Sequence, residues 1–133
     1  MKNSITAHIE FSFKGETHAL TSQLDLDALL SGNKTLPSLY EFFAREHHID
    51  TISYLYEVMQ VADFEFSNAQ GLAANFLRGS DFDAAGFASL WQEQQIVTLL
   101  QPIAKRELNI DDLTQQTNIK NALVQAYKLG KGL

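Results

Sequence analysis

From Ile5 to Phe13 the chain alternates without a break. Ile5, Ala7, Ile9, Phe11 and Phe13 are apolar or small, and Thr6, His8, Glu10 and Ser12 stand between them. Period-2 spacing of this length is the pattern of a strand buried on one face and wet on the other. Lys14-Gly15 or Gly15-Glu16 then supplies a two-residue turn, where glycine accepts positive φ. Alternation resumes with His18, Leu20, Leu24 and Leu26 on one side. Either turn register sets odd residues of the first strand opposite even residues of the second, so the apolar faces coincide. The N-terminus is therefore an antiparallel β-hairpin with one apolar side that the remaining chain must cover.

The next signals are helical. Asp25 or Asp27 can cap a short turn through Leu29 and Leu30, ended by Ser31-Gly32-Asn33, and Pro37 suits the first position of a helix over about 37 to 47 with Leu39, Tyr40, Phe42, Phe43 and Ala44 as its apolar stripe. Residues 50 to 66 read two ways. At period 3.6 Ile52, Tyr56 and Met59 share a helix face; at period 2 Ile52, Tyr54, Tyr56 and Val58 share a strand face, and the β-branched and aromatic content favours the strand. Residues 52–58 would then be the third strand of a sheet, which a lone ribbon needs for stability. Ser67 with Gln70 makes a capping-box pattern ahead of a helix over residues 69–77, closed at Gly79. Asp81 or Asp83 opens a helix carrying Phe87, Leu90, Trp91, Ile96, Leu99 and Leu100 that Pro102 kinks or breaks. Residues 103–108 continue the pattern, Asn109 or Asp111 offers a new N-cap, and Gly130 closes the last helix. The expected fold is α+β: an N-terminal hairpin, extended to three strands by 52–58, packed against about four to five C-terminal helices in a single globular domain spanning 1–133.

Composition removes whole function classes. With no cysteine among 133 residues, disulfides, thiolate nucleophiles and cysteine-held metal centres are excluded. The formal charge of −6 repels nucleic acid and anionic membranes at long range. No unbroken apolar run resembles a signal peptide or a membrane span, so a cytoplasmic location is expected.

Ligand-binding candidates are His18, His47, Asp50, Tyr54 and Tyr56. His18 projects from the apolar face of the hairpin, where a buried imidazole must find a partner. His47 lies where a histidine complements the carbonyl end of a helix, with Asp50 three residues on as a conceivable second ligand to a metal; Ala44 and Phe43, one turn earlier, can supply none. A calcium-loop reading of Asp81, Asp83 and Gly86 fails because Ala85 supplies no oxygen ligand at position 5 and Gln92 stands where position 12 needs a bidentate glutamate. No nucleophile elbow or phosphate loop is present, so no catalytic residue, metal or cofactor is assigned. Residues 111–130 resemble a helix-turn-helix, with Asn118 at the turn and Lys120, Asn121 and Gln125 on the candidate reading surface. Charge argues against it, since Lys105, Arg106, Lys120, Lys128 and Lys131 face Glu107, Asp111 and Asp112, a thin excess for phosphate binding. The aromatic surplus suggests a self-associating patch or a ligand pocket. The resulting expectation is a small soluble non-catalytic interaction or assembly protein that forms a homo-oligomer or meets a protein partner. The alternatives are a ligand-binding or enzymatic domain with a pocket between sheet and helices, and a DNA-binding regulator.

Overall fold

A computed structural model of the chain describes residues 2–31 and 38–132. The chain divides into two compact units, Met1–Ala88 and Ser89–Leu133.

In the first unit, β1 (Ser4–Phe13) and β2 (Glu16–Asp25) form the expected hairpin, paired from Phe13↔Glu16 to Ser4↔Asp25. The turn is Lys14-Gly15, with φ of 53° and 78°, the two left-handed residues of a type I′ turn that matches strand twist. Ile5, Ala7, Ile9 and Phe11 of β1 are buried with Leu24 of β2. Asp25 accepts the backbone N–H of Ala28 and caps α1 (Leu26–Leu30), which buries Leu26 and Leu30. Helix α2 (Leu39–Glu46) buries Phe43 and Ala44; the proposed cap Gly32-Asn33 and first-turn Pro37 lie outside the described residues.

Residues 52–58 are not a strand. Ser53 accepts the N–H of Tyr56 and starts α3 (Tyr54–Met59), which buries Tyr56 and Met59 and packs on β1. The N-cap hydroxyl and the i, i+3 apolar pair outweigh the local β-propensity. The sheet does have three strands, but the third is β3 (Glu65–Gln70), antiparallel to β1 through Thr6↔Ser67, Ala7↔Phe66 and His8↔Glu65. Ser67 is thus a ladder residue and not a helix cap, and residues 71–76 form a 3-10 helix. A small hairpin of β4 (Leu77–Arg78) and β5 (Asp81–Phe82) follows, linked to β3 by the Phe66 N–H on the Ser80 carbonyl.

Phe64 and Phe66 are links in a chain of rings. Phe64 lies 4.9 Å from both Tyr40 and Phe43, and Phe66 is 5.6 Å from Phe82, which is 5.8 Å from Phe87. Ser4 sits inside this unit fully buried, and its hydroxyl has no partner among the described residues. Replacing Ser4 with alanine removes a desolvated polar atom that returns nothing, so Ser4→Ala should raise unfolding stability by about 1 kcal/mol in urea titration.

Asp83 accepts the Gly86 N–H and opens α4 (Ala84–Leu108). Pro102 lies within α4 and does not end it. Proline costs the helix one N–H bond, but the turn beyond is held: Ala104 is buried, and the Gln101 side chain donates to the Ile110 carbonyl while accepting the Leu113 N–H. Asn109 is therefore the left-handed residue after a helix (φ 54°), not the N-cap of a new one. Asp112 fills the capping role at the 3-10 turn Leu113–Gln115, and α5 (Thr117–Lys131) completes the second unit. Gly132, in the left-handed region, closes α5 in place of Gly130.

Candidate functional site

The loop from α2 to α3 carries most of the predicted site residues. His47 is the C-cap of α2, its N–H on the Phe43 carbonyl. His48 is left-handed (φ 57°) and lets the Ile49 N–H reach the Ala44 carbonyl, a Schellman closure without glycine. The His47 ring tilts against Phe43 at 5.3 Å, and its Nε2 is hydrogen-bonded to the Ser22 hydroxyl of β2 at 3.0 Å. It ties helix to sheet.

Asp50 is exposed and builds the start of α3. Its carboxylate accepts the Ile52 N–H and its carbonyl accepts the Ser53 hydroxyl. Tyr54 and Tyr56 part company in the helix: Tyr56 is 7% exposed and Tyr54 76%. His18 stays on the hairpin, stacked on Phe11 with ring centroids 5.2 Å apart. An open cavity of about 680 Å³ lies between α2 and α3, lined by Glu41, Arg45, Ile49, Thr51, Tyr56 and Gln60. Of the five ligand-binding candidates only Tyr56 reaches its wall. One carboxylate and one guanidinium four residues apart on α2 can hold a small zwitterion or a polar chain, but bring no nucleophile against a base. Among the described residues no three His, Asp or Glu side chains gather as a metal site.

On α2, Tyr40 donates its hydroxyl to the Ala62 carbonyl at 2.7 Å. Desolvation pushes the phenol above its ordinary pKa and the Asp63 carboxylate adds to the shift, so the ring stays a neutral donor.

In the second unit the helix-turn-helix geometry is not formed. The first helix is the three-residue 3-10 turn at Leu113–Gln115, and Asn118 sits inside the first turn of α5. Lys120 points its ammonium at Glu93 of α4, 3.7 Å away, in the wall of a cavity of about 240 Å³. Asn121 and Gln125 are exposed one turn apart on α5. The cation meant for phosphate is thus engaged by a carboxylate.

Sequence reasoning missed the exposed apolar surface around α3. Ile52 is 90% exposed and Val61 84%, beside Tyr54. Tyr54, Val58 and Val61 are spaced i, i+4, i+7, one stripe of a helix whose opposite stripe holds Tyr56 and Met59. The signal was present in that spacing but was overridden by β-propensity. No helix among the described residues is long and apolar enough to cross a membrane. Comparison of the chain with protein families, with curated proteins and with solved structures finds no match.

Proposed function

We propose that this protein is a small non-catalytic interaction or assembly module that self-associates through apolar surface left outside its core. The observation that carries the reading is α3, a six-residue helix apolar on two opposite sides. One side is the floor of the core. The other presents Tyr54 to water, and Ile52 before the helix and Val61 after it are exposed as well. A single exposed apolar residue needs no explanation, but three within ten positions, one on α3 and one in the turn at each of its ends, offer apolar surface of the kind that meets another surface. An aromatic ring at its centre suits a contact hot spot.

Gel filtration with light scattering over a concentration series tests this. The parent chain should run above the mass of a monomer at high concentration. Tyr54→Ser combined with Val61→Asp should weaken the association at least about tenfold, roughly 1.4 kcal/mol, with unchanged circular dichroism. A strict monomer for the parent at every concentration would refute the proposal.

A further inference from the structure

Among the described residues, the outer edge of β2 is a long strand edge with no further strand beside it. The sheet order is β2-β1-β3, so among the described residues β2 pairs on one side only. Which backbone groups face outward follows from the hairpin. A two-residue loop makes Phe13↔Glu16 a hydrogen-bonded pair, and such pairs recur at every second residue. The even residues of β2 therefore bond to β1, and Thr17, Ala19, Thr21 and Gln23 point their N–H and C=O groups away from it. All four are exposed.

Native proteins guard such an edge with lysine, proline, a bulge or a covering element. Here Thr17 to Leu24 contains no Lys, Arg, Asp, Glu or Pro, and the β1 register runs unbroken over ten residues. We infer that this edge pairs with the β2 edge of a second copy, antiparallel about a two-fold axis, to make one continuous six-stranded sheet. The inference rests on the self-association proposed above, and it names a surface separate from the α3 patch.

The geometry fixes the register. Opposed residues in an antiparallel pair point to the same face, and a two-fold axis normal to the sheet preserves the faces, so odd residues must meet odd and even meet even. Full overlap of the two strands would set Glu16 opposite Asp25 of the second copy, but that pairing is odd to even and is forbidden. The register centred on Leu20 uses all four outward residues: Thr17 opposes Gln23, and Ala19 opposes Thr21. A register centred on Thr21 would instead need Asp25, already the cap of α1. With Leu20 at the axis, Leu20 meets its own copy and His18 meets Ser22 along the apolar side of both sheets. Lys14 at each hairpin tip comes to the level of Leu26, between Asp25 and Asp27 of the other copy, a cation set against two carboxylates, while Glu16 opposes the apolar Leu24.

Amide hydrogen exchange at low and high protein concentration reads this edge directly. The amides of Thr17, Ala19, Thr21 and Gln23 should slow by tenfold or more at high concentration, in the parent and in the Tyr54→Ser/Val61→Asp variant alike. Ala19→Pro should abolish that protection and lower the mass, because its N–H points outward and no bond to β1 is lost. Ala19→Lys, which keeps the backbone N–H and adds a like charge near the axis, gives the same readout should the proline variant fail to fold. Equal, fast exchange of these four amides at both concentrations overturns the edge pairing, whatever the patch variant does. A monomeric patch variant with unprotected edge amides leaves the α3 reading standing and removes this one. An unchanged mass for the patch variant, with a monomeric Ala19→Pro, does the reverse.

Discussion

Phe43→Ala should cost the first unit about 3–5 kcal/mol, enough to lower its melting point by more than roughly 10 °C. The side chain is fully buried. Its ring meets Phe64 edge-on at 4.9 Å, Phe42 at 6.2 Å and His47 at 5.3 Å, so truncation opens a cavity walled by rings that cannot all relax into it. The loss spreads beyond one helix. Phe64 also meets Tyr40 and connects through Phe66 to Phe82 of the small hairpin, and His47 fixes the end of α2 to Ser22. Phe42→Ala is the control: its neighbour on the same helix is half-buried, and its loss should cost about 1 kcal/mol. Urea titration of both variants decides. A Phe43→Ala cost no larger than that of Phe42→Ala would mean that α2 does not lie on the core as described.

The hairpin was legible because its evidence is local. Strict alternation and a Lys-Gly turn act within 22 residues, and no distant contact alters them. Asp25 and Asp83 were legible for the same reason, since a cap needs only the N–H three residues on. The errors fall where two local signals compete. In residues 54–59 β-branched and aromatic side chains suggest a strand, while Ser53 and the Tyr56/Met59 pair suggest a helix; burial against β1 decides for the helix. In residues 65–70 the Ser67/Gln70 pattern imitates a helix start, but the free edge of β1 supplies ladder bonds that a capping box cannot match. Asn68, left-handed at φ 50°, takes up the irregularity where the register slips between Ser4 and Thr6.

The site was less legible because it depends on that decision. A strand would have put Ile52, Tyr54 and Tyr56 on one buried face. A helix advances about 100° per residue and sends Tyr54 and Tyr56 to opposite sides, one into the core and one into water. The same rotation creates both the wall of the α2–α3 cavity and the exposed patch. For Lys120, sequence spacing showed a cation at a helix start but not the Glu93 carboxylate 27 positions earlier that holds it. His18 and His47, both offered as ligands, are instead spent on Phe11 and on Ser22.

Gly71→Ala should destabilise the first unit by about 3–5 kcal/mol, and nothing in the local sequence announces it. Two costs combine. Gly71 has φ +73°, a conformation that costs an L-residue roughly 1–2 kcal/mol. A Cβ there would also collide with the Lys2 carbonyl oxygen and with Oδ1 of Asn3. Neither can move aside. The Asn3 Oδ1 accepts the Leu72 N–H at 2.7 Å, and its Nδ2 donates to Asp27 at 2.9 Å. The Asp27 carboxylate in turn accepts the backbone N–H groups of Asn3 and Lys2, and the Asn3 carbonyl accepts Leu26. Displacing Asn3 would leave a part-buried N–H unpaired, about 1–3 kcal/mol more, and loosen the join between the N-terminus, α1 and the end of β3. Gly15→Ala separates the two costs. Gly15 has φ +78°, yet a Cβ at that position meets nothing within 4 Å. Its substitution carries the backbone cost alone, so urea denaturation should place Gly71→Ala about 2 kcal/mol or more below Gly15→Ala. Equal losses at the two glycines would show that the Asn3–Asp27 junction yields to an added methyl group and does not brace the sheet.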